Sequence, residues 1–148
     1  MSATAHKDII TGLSRLLGST YVLTIKLQHF HWNVTGPLFA PLHAMFEGQY
    51  TQLFTVNDDV AERIRALGET APGTAKEFLA LSVIKEQPSV PSAKSMLAEL
   101  LKDYEKVIAL MGEIATLAGD ADDHATNDLL APLMRAFEKT AWMVRSSM

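Results

Sequence analysis

The chain has 148 residues, 48% of them hydrophobic, no cysteine and a formal net charge of -4. That length buries one core without disulfides or a structural metal and leaves no material for a second, so residues 1–148 are expected to form a single domain. The missing cysteines exclude a disulfide scaffold and sulfur-ligated metals, and the acidic balance, with 13 Lys and Arg scattered along the chain, excludes phosphate binding by bulk charge. No run of about eighteen uncharged apolar residues occurs, and the opening MSATAHKDIITGLS lacks a basic start followed by a long apolar core. Neither a membrane span nor a secretion signal is therefore expected, which leaves the cytoplasm as the expected compartment.

Apolar residues recur at helical spacing from about Lys7 to Asn33, through Ile9, Ile10, Leu13, Leu16, Leu17, Val22, Leu23 and Leu27, which predicts a long first helix. Gly36 and Pro37 break the chain, and a second helix is predicted from about Leu38 to Leu67, stopped by Gly68. Glu69 to Gly73 reads as a turn, Ala75 to Val83 as a short helix, and Pro88 and Pro91 interrupt the chain again. Ser92 can cap a third long helix reaching about Leu117, with Gly119 ending it. Asp122 or Asp123 then caps a fourth, which carries Leu129, Leu130, Leu133, Phe137, Ala141 and Val144 nearly to the C-terminus. Four long helices joined by a short, a long and a short connection predict an all-α four-helix bundle with ferritin-like connectivity, its crossover holding the short helix.

The second helix carries two pairs spaced i, i+4: His43 with Glu47, and Asp58 with Glu62. The eleven-residue step from Glu47 to Asp58 is three turns plus about 20°, so the four side chains share a face. Yet about 16 Å of helix separates the pairs, more than one metal ion can span. The pairs are symmetric about the Gln52–Leu53 link, so two copies of the helix packed antiparallel about a two-fold there would bring His43 of one subunit opposite Glu62 of the other and create two identical sites. An ordinary solvated helix face also carries such pairs, but it explains the symmetry only by coincidence, and Asp58 beside Glu62 is repulsive without a cation. Carboxylates with imidazole suit iron(II), manganese or zinc, and an oxygen-rich set with open positions suits redox iron best. A second imidazole is available from His29 or His31. Residues two apart on a helix diverge by about 200°, so at most one of them reaches His43.

The run His31-Trp32-Asn33-Val34-x-Gly36, followed by Leu42-His43-x-Met45-Phe46-Glu47 and Asp58-x-x-Ala61-Glu62-Arg63, resembles the signature of the Dps family, the DNA-binding proteins from starved cells. The likeness covers nearly the whole chain, to the tail Thr126-x-Asp128-Leu129-Leu130 through Trp142. It implies a ferroxidase centre made by His31, His43 and the acid at position 47 from one subunit with Asp58 and Glu62 from its two-fold mate. Glu47 stands where many members carry Asp, a longer arm with the same carboxylate. The resemblance further implies a hollow homododecamer that oxidises iron(II), preferentially with hydrogen peroxide, and stores the ferric product. It suggests one or two irons per site, with zinc or manganese as alternative occupants. Trp32 could donate an electron to a trapped oxidant, although packing at a helix end explains it more simply.

Between the third and fourth helices lie Asp120, Asp122 and Asp123, with Asp128 one turn on. One acid serves as a cap; the resemblance implies that acids of this region line a pore through which iron enters, with Asp128 favoured and Asp120 and Asp123 as further candidates. Lys7 is the only basic residue before Arg15, and Arg145 the only one after Lys139, so the lysine-rich tails that bind DNA in some members are missing and direct DNA binding is not expected. A ferritin or bacterioferritin site inside each bundle would need Glu-x-x-His on two helices, and no glutamate here has a histidine three residues later. The alternatives left are a DNA-coating nucleoid protein and a shell that holds divalent metal without turnover.

Overall fold

The computed structural model describes residues 1–148 as five helices without strands: α1 (Ala3–Asn33), α2 (Phe39–Ala66), α3 (Ala75–Leu81), α4 (Ala93–Asp120) and α5 (His124–Ser146). The four long helices are those expected, and α3 is the short helix of the crossover. α1 starts earlier than its apolar repeat, because Ser2 caps it by accepting a hydrogen bond from the Ala5 amide at 3.1 Å. α3 stops at Leu81, two residues short of Val83, with Ser82 extended at φ -62, ψ 137. α4 runs through Gly119 to Asp120, and the left-handed residue that turns the chain is Asp122, at φ 55. Asp123, not Asp122, is the cap of α5. Gly36 and Gly68 hold φ 104 and 93, so a residue without Cβ is required at each of those turns.

Side-chain contacts fix the helix directions. Gly12 meets Ile114 and Lys26 meets Asp103, so α4 runs antiparallel to α1; Arg63 meets Asp123 and Met45 meets Ser147, so α5 runs antiparallel to α2. The order is thus up, down, down, up, and the chain from α2 to α4 must travel the length of the bundle. α3 lies in that crossover, against α1. Thr74 and Glu77 form a reciprocal capping box at its start, and bonds from Gly73 and Thr74 hold the Glu77 carboxyl below its ordinary range. Phe78 stacks on Tyr21, ring centres 4.2 Å apart. Gly18 permits this approach: a Cβ there would sit 2.8 Å from the Phe78 carbonyl oxygen.

Thirty buried apolar residues form the core, with Phe30, Phe46, Ile9, Leu13, Leu16 and Leu17 among the largest. Three polar contacts cross it. Lys26 Nζ lies 2.6 Å from Asp103 Oδ2, both side chains buried; the Tyr104 hydroxyl donates to Gln49 Oε1 at 3.0 Å; and Asn57 Nδ2 donates to Thr24 Oγ1 at 3.3 Å. Burial raises the Asp103 carboxyl although Lys26 pulls it down, and burial also pushes the Tyr104 phenol up.

Candidate metal centre

His31 lies in the last turn of α1 and His43 in the second turn of α2, and the tight Gly36 turn brings them together. Their rings stack, with centres 3.7 Å apart and planes 14° from parallel. His31 Nδ1 donates to the His43 carbonyl at 2.7 Å, and His43 Nδ1 donates to the His31 carbonyl at 2.7 Å. The His31 carbonyl is one of the last four of α1, which have no amide ahead of them in the helix, so the second of these bonds also closes a helix end. A carbonyl oxygen can only accept, so each Nδ1 must carry the proton, and in the neutral rings each Nε2 keeps a free lone pair. A metal-ligating histidine needs this arrangement, with the non-ligating nitrogen anchored and the tautomer fixed. Tyr50 packs its edge on His31, ring centres 5.3 Å apart, and Phe39 lies 5.0 Å from His43.

His31 is only 7% exposed and His43 half-buried, whereas Glu47, Asp58 and Glu62 are exposed. Of the five sequence-predicted ligands the fold therefore brings His31 and His43 together, holds Glu47 one turn beyond His43, and leaves Asp58 and Glu62 further along α2. No three acidic or histidine side chains of a single chain gather into a metal-holding group. His29 turns away, its Nε2 3.0 Å from the Ser89 carbonyl. Trp32 is 68% exposed on the isolated subunit.

The acids at the α4–α5 turn separate by environment. Asp123 is buried: its Oδ1 accepts from Arg63 at 2.7 Å and from the Thr126 amide at 3.0 Å, and its Oδ2 accepts from the Thr126 hydroxyl at 2.5 Å. Burial alone would raise its pKa, but Thr126 and Arg63 together hold it below the ordinary carboxylate range. Both oxygens are engaged within the protein, which makes Asp123 a cap and an ion-pair partner, and removes it from the expected pore acids. Asp120 and Asp128 are exposed.

Sequence reasoning passed over Asn57. It occupies the apolar stripe of Leu53, Val56, Val60 and Ile64, and a polar residue at a core position was the available signal. The Lys26–Asp103 pair, 77 residues apart, carried no such signal.

The ferritin-like domain family matches residues 10–148. DNA protection during starvation protein 2 of Bacillus anthracis is 38% identical over 141 residues, covering 95% of this chain and 97% of that protein. The crystal structure of Dps from Staphylococcus aureus superposes with a TM-score of 0.93 at 33% identity, covering 95% of each chain. A Dps protein from Vibrio cholerae O1, described as a member of a broad superfamily of ferritin-like diiron-carboxylate proteins, gives a TM-score of 0.93 at 29% identity over 99% of this chain and 92% of that one. A ferritin-like bundle with paired, backbone-anchored imidazoles is thus the class of the molecule. Within that class, the chain belongs to the Dps family.

Proposed function

We propose that the protein oxidises iron(II), with hydrogen peroxide as the preferred oxidant, and stores the ferric product inside a hollow homododecamer, so protecting DNA and the cell from oxidative damage. The observation that carries this reading is the reciprocal clamp of His31 and His43, which frees both Nε2 atoms as ligands at one end of the symmetric acid pairs of α2. His31, His43 and Glu47 of one subunit would bind iron, and Asp58 and Glu62 of the two-fold mate would complete the set with oxygen donors suited to iron in either oxidation state. Two iron(II) ions each give one electron to peroxide; the O–O bond breaks, and two protons convert the fragments to two waters. No hydroxyl radical is released when both electrons arrive together. Asp128 and Asp120, exposed at the α4–α5 turn, would draw iron inward. The protection of DNA named in the Bacillus anthracis relative supports a protective role, and the weakly basic tails make that role chemical here. No helix is long and apolar enough to cross a membrane, in keeping with a cytoplasmic site of action.

Complementation tests the shared site. His43→Ala and Asp58→Ala subunits should each be inactive alone, whereas a heterodimer of the two contains one intact site, so a mixed assembly should recover activity. Wild-type rates in both single variants, or no recovery on mixing, would refute the intersubunit site.

A further inference from the structure

The outer face of α1 carries a row of large side chains that no other part of the chain covers. Tyr21, Ile25, Gln28 and Trp32 recur at helical spacing, so they fall within about 60° of one another around the helix. Tyr21, Ile25 and Trp32 are exposed, as are Phe54 of α2 and Leu79 of α3 beside them. Apolar exposure of that extent marks an interface. Tyr21, Ile25, Phe54, Phe78 and Leu79 line an apolar cavity of about 320 Å³. A second groove, lined by Ile25 and Trp32, continues along α1 to the indole, and Gln28 and Glu86 lie where the two meet. Phe54 also stands one turn before Asp58 and two turns beyond Glu47, so the cavity adjoins the face of α2 that a two-fold mate must cover to complete the metal centre.

Register decides what faces it. Thr24 meets Asn57 and His31 meets Tyr50, so α1 and α2 run past each other residue for residue, and Trp32 lies about level with Gln49. A two-fold at the Gln52–Leu53 link sets Gln49 opposite Val56 of the partner subunit, which is level with Ile25 of the partner subunit. The exposed indole of each subunit therefore comes to the height of the other subunit's apolar cavity. We propose that Trp32 of each subunit docks into this cavity of its two-fold mate and anchors the dimer that builds the metal centre. This rests on the antiparallel two-fold of the iron-oxidising reading above. Charge agrees, because the same contact sets His31 and His43 of one subunit against Asp58 and Glu62 of the other, imidazole against carboxylate. Volume agrees as well, since a dry cavity of about 150 Å³ already takes a benzene ring. A buried indole needs an acceptor for its Nε1–H, and Gln28 and Glu86 offer one beside the cavity. Because Trp32 directly follows His31, seating the indole also fixes that end of α1 against the carboxylates of the mate.

The test uses the full chain and contains no iron. Trp142→Phe leaves Trp32 as the single tryptophan. In the assembly its emission should be blue-shifted and shielded from acrylamide, and on dilution into subunits it should shift to the red and become quenchable. Trp32→Ala should raise the concentration at which the assembly half dissociates by roughly thirty- to a thousandfold in sedimentation velocity, the loss expected of a buried aromatic anchor. Leu79→Glu, which puts a charge on the cavity wall, should act in the same direction, and Trp32→Phe should fall between wild type and Trp32→Ala. Both positions are exposed on the isolated subunit, so the helix content of these variants should stay at the wild-type value. A benzophenone amino acid at position 32, in an assembly mixed from isotope-labelled and unlabelled subunits, should crosslink between subunits to the segments around Ile25 and Leu79. Solvent-exposed emission from Trp32 in the assembled protein would overturn the inference, as would wild-type dissociation of Trp32→Ala. So would crosslinks confined to one subunit or made to a different protein, which would give the cavity another occupant. A shielded, crosslinked Trp32 in an assembly that does not oxidise iron(II) would uphold the docking and overturn the oxidase reading instead.

Discussion

Replacing Lys26 by Met should destabilise the bundle by an amount that depends on pH. Lys26 and Asp103 side chains are 5% and 8% exposed with 2.6 Å between charges, and Glu99 lies 4.0 Å from the same ammonium. Removing the cation leaves Asp103 buried with a like charge nearby, a change that costs about 3 to 5 kcal/mol when the carboxylate is ionised. The Asp103 pKa is already raised, first by burial, against the pull of Lys26. A carboxyl with a raised folded value favours folding fully below its unfolded value, near 4, and loses that contribution as pH rises through the folded value. Loss of Lys26 lifts the folded value further. Lys26→Met should therefore show a larger penalty at pH 7 than at pH 5, because lowering the pH moves Asp103 toward its neutral form. Thermal unfolding by circular dichroism, at one protein concentration and both pH values, measures this. Lys26→Met/Asp103→Leu should recover most of the loss. Equal penalties at the two pH values, or no recovery in the double variant, would show that the ion pair is not what the lysine contributes.

Gly18→Ala places a Cβ 2.8 Å from the Phe78 carbonyl oxygen and 2.9 Å from Leu81 Cβ, so α3 must shift; a loss of about 1 to 3 kcal/mol and faster proteolysis between α2 and α4 are expected. Asp123→Ala removes the α5 cap and the partner of Arg63, and should cost about 1 to 2 kcal/mol by the same thermal assay. Because the folded Asp123 value is lowered, its contribution is complete above the ordinary carboxylate value and is lost as pH falls through the folded one, so the gap between wild type and variant should close only in strong acid. His43→Ala should also weaken anaerobic iron(II) binding, since it removes one imidazole, the ring stacked on His31 and the donor to the His31 carbonyl, although the backbone carbonyl that anchors His31 Nδ1 remains; isothermal titration with iron(II) measures this.

The helices were legible because each long one carries an apolar repeat closed by Gly, Pro or a capping side chain, and the stops at Gly36 and Gly68 coincide with positive φ. Boundaries slipped where a single residue overrode the pattern: Ser2 extended α1, and placing the left-handed turn on Asp122 let α4 continue past Gly119. For the site, spacing on one helix was enough to group His43, Glu47, Asp58 and Glu62 on a face, but it left open whether His29 or His31 faced His43, and only the likeness to a known family chose His31. The pairing of backbone carbonyls with both Nδ1 atoms depends on how α1 and α2 approach across the Gly36 turn, a three-dimensional relation with no trace in spacing. Asp123 looked like any acid of its cluster until Arg63, 60 residues earlier, was seen to meet it. Asn57 was legible only as a polar residue in an apolar stripe, and its contact with Thr24, 33 residues earlier, appears only in the fold.

Anaerobic loading with iron(II), followed by one pulse of hydrogen peroxide, tests the proposed activity most directly, with ferric absorbance, hydroxyl-radical yield and iron retained on size exclusion recorded together. Oxidation of about two irons per peroxide, as the two-electron balance requires, with little radical and with iron co-eluting with a large assembly, is the predicted result. Iron that binds without being oxidised, or that oxidises only at the rate of free iron, would contradict it.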